Sequence, residues 1–346
     1  MDARSDSVLA KIIDYYVDSC EPVGSRVLSK LLKQQISAAT IRNVMSDLSE
    51  MGLLTQPHTS AGRIPTDLAY RYYVNNLMKI GFEKDKIESQ PKATITEHES
   101  QPYNLEEVLM EAVRDLSKKT NFAGVVISPQ PAVSKLKKIE LIRLNQTQVL
   151  LILVTQSGLV RNKILYFRES PSQSALTEMG SIFCKVFEGN TVSKARDELV
   201  DRLSKETDLQ GDMLVQMIRI GKKALDIGEF GELYVFGHAN MFLFPEFSEN
   251  NLLQAMYQVF EEKKALSKTL EEMMDGEGVQ LKIGNENHYE GLEQCSVVAT
   301  TYGNKSYLLG SIGIVGPTRM NYPKVISEIN NSSRELTAAV SHFLDC

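Results

Sequence analysis

No run of 18 or more apolar residues occurs in the 346-residue sequence, so a membrane-spanning helix is not expected. Its start, Met1-Asp2-Ala3-Arg4-Ser5-Asp6, lacks the basic stretch and apolar core of a secretory signal, and a soluble cytoplasmic protein is expected. Cysteine is scarce. Cys20, Cys184, Cys295 and Cys346 stand far apart, none paired at the close spacing of zinc or redox sites, which points to reduced structural thiols. The five histidines form no ligand cluster and no HExxH pattern. Phosphate-loop GxxxxGK[ST] and nucleophile-elbow GxSxG motifs are also missing. The glycine-rich run Gly310–Gly316 alternates as a strand does, and Asp275-Gly276-Glu277-Gly278 lacks the following ligands of a calcium loop and reads as a turn. No catalytic activity, metal or cofactor is expected.

A hydrophobic content of 42% over this length can bury two or three separate cores. The net charge of -6 argues against a protein that coats nucleic acid. Its distribution is uneven, however. Between Pro22 and Ser46 the basic residues Arg26, Lys30, Lys33 and Arg42 meet no acidic one. A local basic face on an acidic chain suits a specific DNA binder, because the sequence-independent phosphate attraction stays small.

That face belongs to a set of helical patterns. Leu9, Ile12, Ile13 and Tyr16 form one stripe over Ser5–Ser19, Glu21–Gly24 breaks the chain, and Ser25 can cap a second helix carrying Leu28, Leu31 and Leu32. Ser37 caps a third helix. There Ile41, Val44, Leu48 and Met51 gather on one side, with Ala39, Arg42, Asn43 and Ser46 opposite. Such a polar side is more often plain solvated surface, but these residue types suit base reading. Arg pairs with guanine, Asn pairs with adenine, and Ala permits close approach. Arg42 and Asn43 are therefore the candidates for base contacts; Arg26, Lys30, Thr40 and Arg63 suit phosphate or groove edges. A hairpin wing follows from Leu53 to Ile64, with His58 as a weaker candidate and Gly62 expected at positive φ. Pro65-Thr66-Asp67 starts a helix whose stripe is Tyr70, Tyr73, Val74 and Leu77.

The strings Glu21–Arg26, Ala39–Met45, Gly52–Leu54, Pro57–Asp67 and Tyr70–Val74 closely resemble the bacterial heat-inducible transcription repressor family HrcA. Leu68-Ala69 departs from that pattern, outside the proposed reading face. Ile283–Glu286, Cys295–Val298 and Gly316–Tyr322 resemble the family's C-terminal signature. The resemblance implies an α+β multidomain chain: a winged helix-turn-helix, a GAF-like sheet domain and a dimerisation domain inserted into it. Expected boundaries are 1–80 for the winged helix, 81–103 for a polar linker, 104–155 and 248–346 for the GAF-like domain, and 156–247 for the insert.

Strand patterns at Phe122–Ser128, Leu136–Leu144, Val149–Thr155 and Leu159–Phe167 precede helices at Gln173–Glu188, Val192–Lys205 and Asp208–Asp226. A strand pair is expected at Glu232–Phe236 and Asn240–Phe244, then one helix over Asn250–Met274. Strands at Val279–Ile283, Ser296–Thr301 and Ser306–Ile314 lead to a final helix ending near Leu344. Arg319 is read as pairing within the edge of the sheet domain, with coupling to the DNA-binding part as the alternative.

The resemblance further implies a homodimer that binds an inverted-repeat (CIRCE-type) operator of double-stranded DNA before chaperone operons of groE and dnaK type. It releases that operator on heat stress, with the chaperonin GroEL as modulator. The competing expectation is a regulator whose GAF-like domain senses a small metabolite.

Overall fold

A computed structural model describes residues 1–33, 35–58, 61–84, 105–129, 135–156, 160–187, 190–191, 194–195, 231–248, 250–304 and 307–344. The linker expected over 81–103 falls outside these residues from 85 onward, as do the helices expected over Val192–Lys205 and Asp208–Asp226 apart from residues 194 and 195.

The N-terminal part is a three-helix unit with a wing. Helix α1 (Ala3–Ser19) starts at Asp2, whose carboxylate accepts the Ser5 N–H at 2.8 Å, and stops where Cys20 turns left-handed at φ 57°. It buries Val8, Leu9, Ile12 and Ile13. Helix α2 (Ser25–Leu31) begins one residue earlier than a Ser25 cap would place it: Gly24 is the N-cap and offers no side-chain oxygen. Helix α3 (Ala38–Glu50) is capped by Ser37. Strands β1 (Leu54–Thr55) and β2 (Ile64–Pro65) form the wing, and helix α4 (Asp67–Lys84) follows.

The larger C-terminal part is built on a five-stranded antiparallel sheet. Helix α5 (Leu105–Thr120) leads into β3 (Ala123–Ile127), and the sheet order is β7 (Leu233–Phe236), β3, β10 (Tyr307–Pro317), β9 (Cys295–Asn304), β8 (Gln280–Ile283). Alternation along the central strands divides their side chains between two cores. Val126, Val298, Ile312 and Ile314 face α5 and the last helix, α9 (Tyr322–Leu344). Val125, Val297, Ala299 and Val315 face α7 (Asn250–Glu262) and α8 (Lys264–Met274). Both faces are thus filled with side chains.

A separate antiparallel sheet joins β4 (Leu136–Arg143), β5 (Gln148–Thr155) and β6 (Val160–Tyr166), with α6 (Gln173–Phe187) on one face. Leu141, Val149, Leu151, Leu153, Leu165, Leu176, Met179 and Phe183 are its core. The expected boundaries divide these strands otherwise, with β4 and β5 in the GAF-like domain and β7 in the insert. The sheets place β4 and β5 with β6, and β7 beside β3. Strand alternation reports a buried face, but not which sheet a strand joins.

Two local expectations also change. Residues His238–Leu243 and Pro245–Phe247 form 3-10 turns, not the second strand of a pair. The single helix expected over Asn250–Met274 breaks at Lys263, which adopts φ 57° and directs α7 and α8 apart. Met51 is 57% exposed at the end of α3, and Met45 takes its place in the buried stripe. Among the described residues no helix is long and apolar enough to cross a membrane.

The winged unit is not loosely attached. Tyr70 and Val74 of α4 belong to the same continuous core as Ile283, Tyr322 and Val325 of the sheet domain, and the Tyr70 and Tyr322 rings lie 5.9 Å apart.

Candidate nucleic-acid interface

Helix α3 is anchored by Ile41, Val44, Met45 and Leu48, all buried. Because those four occupy one side, Ala39, Arg42, Asn43 and Ser46 emerge on the other, and all four are exposed. At the N-terminus, the Ser37 hydroxyl accepts the Thr40 N–H at 3.1 Å and lies 2.9 Å from the Thr40 hydroxyl. No acidic residue stands in the first turn, so the positive end of the helix dipole is not offset there. Half-buried Thr40 therefore sits where a phosphate oxygen would meet backbone N–H groups.

Helix α2 is held against α3, and the Ser29 hydroxyl donates to the Ile36 carbonyl at 2.9 Å, closing the turn between them. Arg26 and Lys30 project from α2 and are exposed. Together with Arg42 and half-buried Arg63 they make no ion pair among the described residues. Arg42 thus lies on this helix face, and Arg26, Lys30 and Arg63 stand on neighbouring elements of the same unit, on a protein whose net charge is -6.

The wing gains an isolated backbone bridge that the sequence pattern does not show. Val23, read as part of a chain break, exchanges both backbone hydrogen bonds with Arg63, at 3.0 and 2.9 Å. Arg63 is therefore fixed in the sheet of the wing rather than free at a tip. His58 is exposed and its carbonyl accepts the Ala61 N–H at 2.9 Å, while Gln56 Nε2 donates to the Ala61 carbonyl at 2.9 Å. Thr59 and Ser60, expected within the hairpin, lie outside the described residues.

Gly62 serves a different purpose from the one expected. It is absent from the positive-φ residues; instead a side chain there would collide with the Val23 carbonyl and come within 2.8 Å of the Pro22 carbonyl carbon. The obstructing atoms are backbone and cannot rotate away. Gly62→Ala is expected to cost about 1–3 kcal/mol and to displace the wing from the α1–α2 connection. Urea unfolding measures the first effect, and amide exchange at Val23 and Arg63 the second.

Arg319 reaches beyond the sheet edge to which it was assigned. It pairs with Glu246 within the C-terminal part, as first expected, and its Nη1 also donates to the Val17 carbonyl of α1 at 3.0 Å, so the alternative, a link to the DNA-binding part, describes a further contact. Asp67 and Arg71 on α4 make a second set of such contacts, described below.

Comparison with known proteins bears on the whole chain. A family model described as the winged helix-turn-helix transcription repressor, HrcA DNA-binding, matches residues 2–78, and one described as the HrcA protein C terminal domain matches residues 106–326. The heat-inducible transcription repressor HrcA of Ruminiclostridium cellulolyticum is 34% identical over 351 residues, covering 100% of this chain and 99% of the relative. That of Geobacter sulfurreducens is 33% identical, covering 96% of each. A crystal structure described as a hypothetical protein shares the fold, with a TM-score of 0.63 at 22% identity over 99% of both chains.

Proposed function

This chain belongs to the HrcA family of heat-inducible transcription repressors, and from that premise we propose that it acts as a cytoplasmic homodimer on an inverted-repeat operator before chaperone genes. The family's function is repression, not catalysis. One observation carries the DNA reading: α3 presents Ala39, Arg42, Asn43 and Ser46 on one exposed face, and among the described residues Arg26, Lys30, Arg42 and Arg63 make no ion pair. In a helix-turn-helix, the second helix lies in the major groove with its N-terminal residues at the base edges. Arg42 and Asn43 would read bases, while Arg26, Lys30, Thr40 and Arg63 hold the phosphates and His58 lies at the wing. A nuclease footprint of the purified protein on its own chaperone promoters tests this reading. Protection of two symmetric half-sites is expected, and protection of neither strand would overturn it.

Dimerisation is supported by the face of the three-stranded sheet opposite α6. Ile142, Leu150 and Ile164 are cross-strand neighbours there, and Ile142 and Ile164 are 36% and 44% exposed. Val160 and Tyr166 add 57% and 65% exposed apolar surface on the same strand. A contiguous apolar patch of this kind marks an association surface. Ile164→Asp adds charge at an already accessible position, so the fold should survive. It is expected to weaken self-association by about tenfold or more, read by sedimentation equilibrium; an unchanged dimer would place the interface elsewhere.

Regulation follows the family reading: heating releases the operator, and chaperonin GroEL restores the binding-competent form. Operator titrations before and after heating, with and without chaperonin, should differ; identical affinities in all four would reject it. The metabolite-sensing alternative requires space inside the sheet domain, and the side chains packed on both of its faces do not favour it.

A further inference from the structure

The two C-terminal strings that the sequence singles out, Ile283–Glu286 and Gly316–Tyr322, both bear on the winged unit. At the first, the chain turns tightly after β8. Gly284 adopts φ 55°, and a side chain there would collide with the Asp67 carboxylate. With that space open, Asp67 Oδ2 accepts the Asn285 N–H at 3.1 Å and Asn285 Nδ2 at 3.0 Å. One helical turn further along α4, Arg71 Nε donates to Glu286 Oε1 at 2.7 Å, and Arg71 Nη2 donates to the Leu281 carbonyl at 2.9 Å and to Glu286 Oε2. Glu286 also accepts the Ile283 N–H at 2.9 Å. Burial would raise its carboxyl, but these hydrogen bonds and the Arg71 charge hold it below its usual range.

At the second string, Arg319 forms a fork with Glu246, its Nη2 lying 3.2 Å from Oε2 and its Nε also paired with Oε1. Its guanidinium covers the Phe244 ring at 5.7 Å. The remaining nitrogen, Nη1, takes the Val17 carbonyl of α1. The last turn of α1 contains no basic residue, so the cation at its C-terminal end comes from the other domain.

These contacts differ in kind from the apolar core the two parts share. Hydrophobic burial holds surfaces together but is not directional. Guanidinium forks to carboxylates fix an angle. Two such anchors on two different helices define an orientation, as two hinge pins do, where one would leave a swivel.

We propose that Asp67, Arg71, Glu246, Asn285, Glu286 and Arg319 are positioning residues that set the orientation of the DNA-reading unit on the sheet domain and thereby the half-site spacing the protein accepts. The proposal rests on the dimeric inverted-repeat reading. None of the six belongs to the reading face.

The test uses the full chain with Arg71→Met/Arg319→Met, and Arg71→Lys/Arg319→Lys as the conservative pair. Affinity is measured on a single half-site duplex and on operators whose half-sites are moved apart in single base-pair steps. Wild type should favour one spacing. The Met pair should bind the half-site as wild type does, lose about tenfold on the preferred operator and respond less to spacing, because simultaneous engagement depends on geometry. The Lys pair should fall between. A parallel measurement needs no DNA: fluorophores at exposed Glu50 and Lys268 should report a narrow distance distribution in wild type and a broad one in the Met pair. Unchanged distributions, or equal losses on half-site and full operator, would overturn the proposal. Narrow distributions that broaden in the Met pair, with no inverted-repeat binding by wild type, would uphold the positioning role and reject the operator reading alone.

Discussion

Operator binding should fall by about 1–3 kcal/mol for each Arg42 replaced by alanine, since a bidentate arginine–guanine pair is lost. The proposed two-fold symmetric dimer would present that side chain twice. The combined loss of about 2–6 kcal/mol is roughly thirty-fold to more than ten-thousand-fold in Kd. The fold should be indifferent, because Arg42 is exposed and makes no ion pair among the described residues. Discrimination at one base pair per half-site should relax at the same time. Arg26→Ala offers the contrast: its exposed side chain suits a phosphate, so affinity should drop alike on every sequence, and the salt slope should flatten by about one for each contact removed. Titrations over a panel of operator variants at several salt concentrations separate the two. An Arg42→Ala protein that loses affinity evenly on all variants would show that α3 does not read bases through this residue.

A second large effect is expected far from the DNA. Asn287 is 2% exposed, and its amide nitrogen points into a ring of carbonyls: Cys295 at 2.9 Å, Gly284 at 3.0 Å and Leu292 at 3.3 Å. These tie both ends of the loop between β8 and β9 to one donor. Asn287→Ala removes the donor that these carbonyls share, although Gly284 and Leu292 keep the backbone N–H groups of Asn287 and Cys295, and costs about 2–4 kcal/mol. The corresponding fall in Tm is about 5–15 °C for a domain of this size. Asn287→Asp should be at least as harmful, since a carboxylate turned toward carbonyl oxygens adds repulsion to the missing donor. Calorimetry measures both. If Asn287→Ala melts as wild type does, the loop is held by other means.

The parts of this design that were legible in the sequence are those with local causes. A serine cap, an apolar spacing of three and four, and small or polar residues opposite are enough to define α3 and its exposed face. Strand alternation located β3 to β6 and β8 to β10 within a few residues. Other features have no local cause. Lys263 adopts a left-handed conformation without glycine or proline to announce it, so α7 and α8 read as one helix. Gly62 reads as a hairpin glycine able to take a positive φ, but its role in close approach depends on Val23, nearly forty residues earlier. The partner of Arg319 in α1 lies 302 residues away. Asp67 and Arg71 left a fainter trace: they stand four apart on α4, one turn above the other along the same edge of the stripe that holds the buried Tyr70.

The strand order has a consequence for how the molecule is made. β3 lies between β7 and β10, and its pairing with β10 joins Ile127 to Ser311. At ribosomal rates of about 5–20 residues per second, β3 leaves the tunnel roughly 10–40 s before that neighbour exists. The apolar side of α4 waits longer still, because Tyr322 and Val325, which share a core with Tyr70 and Val74, lie about 250 residues downstream of them. During that interval the nascent chain carries an open sheet edge and an uncovered helix face. Contacts so distant in sequence form slowly even after release. The finished protein conceals this vulnerable period, in which apolar surface that ends in one continuous core is still open to the surroundings.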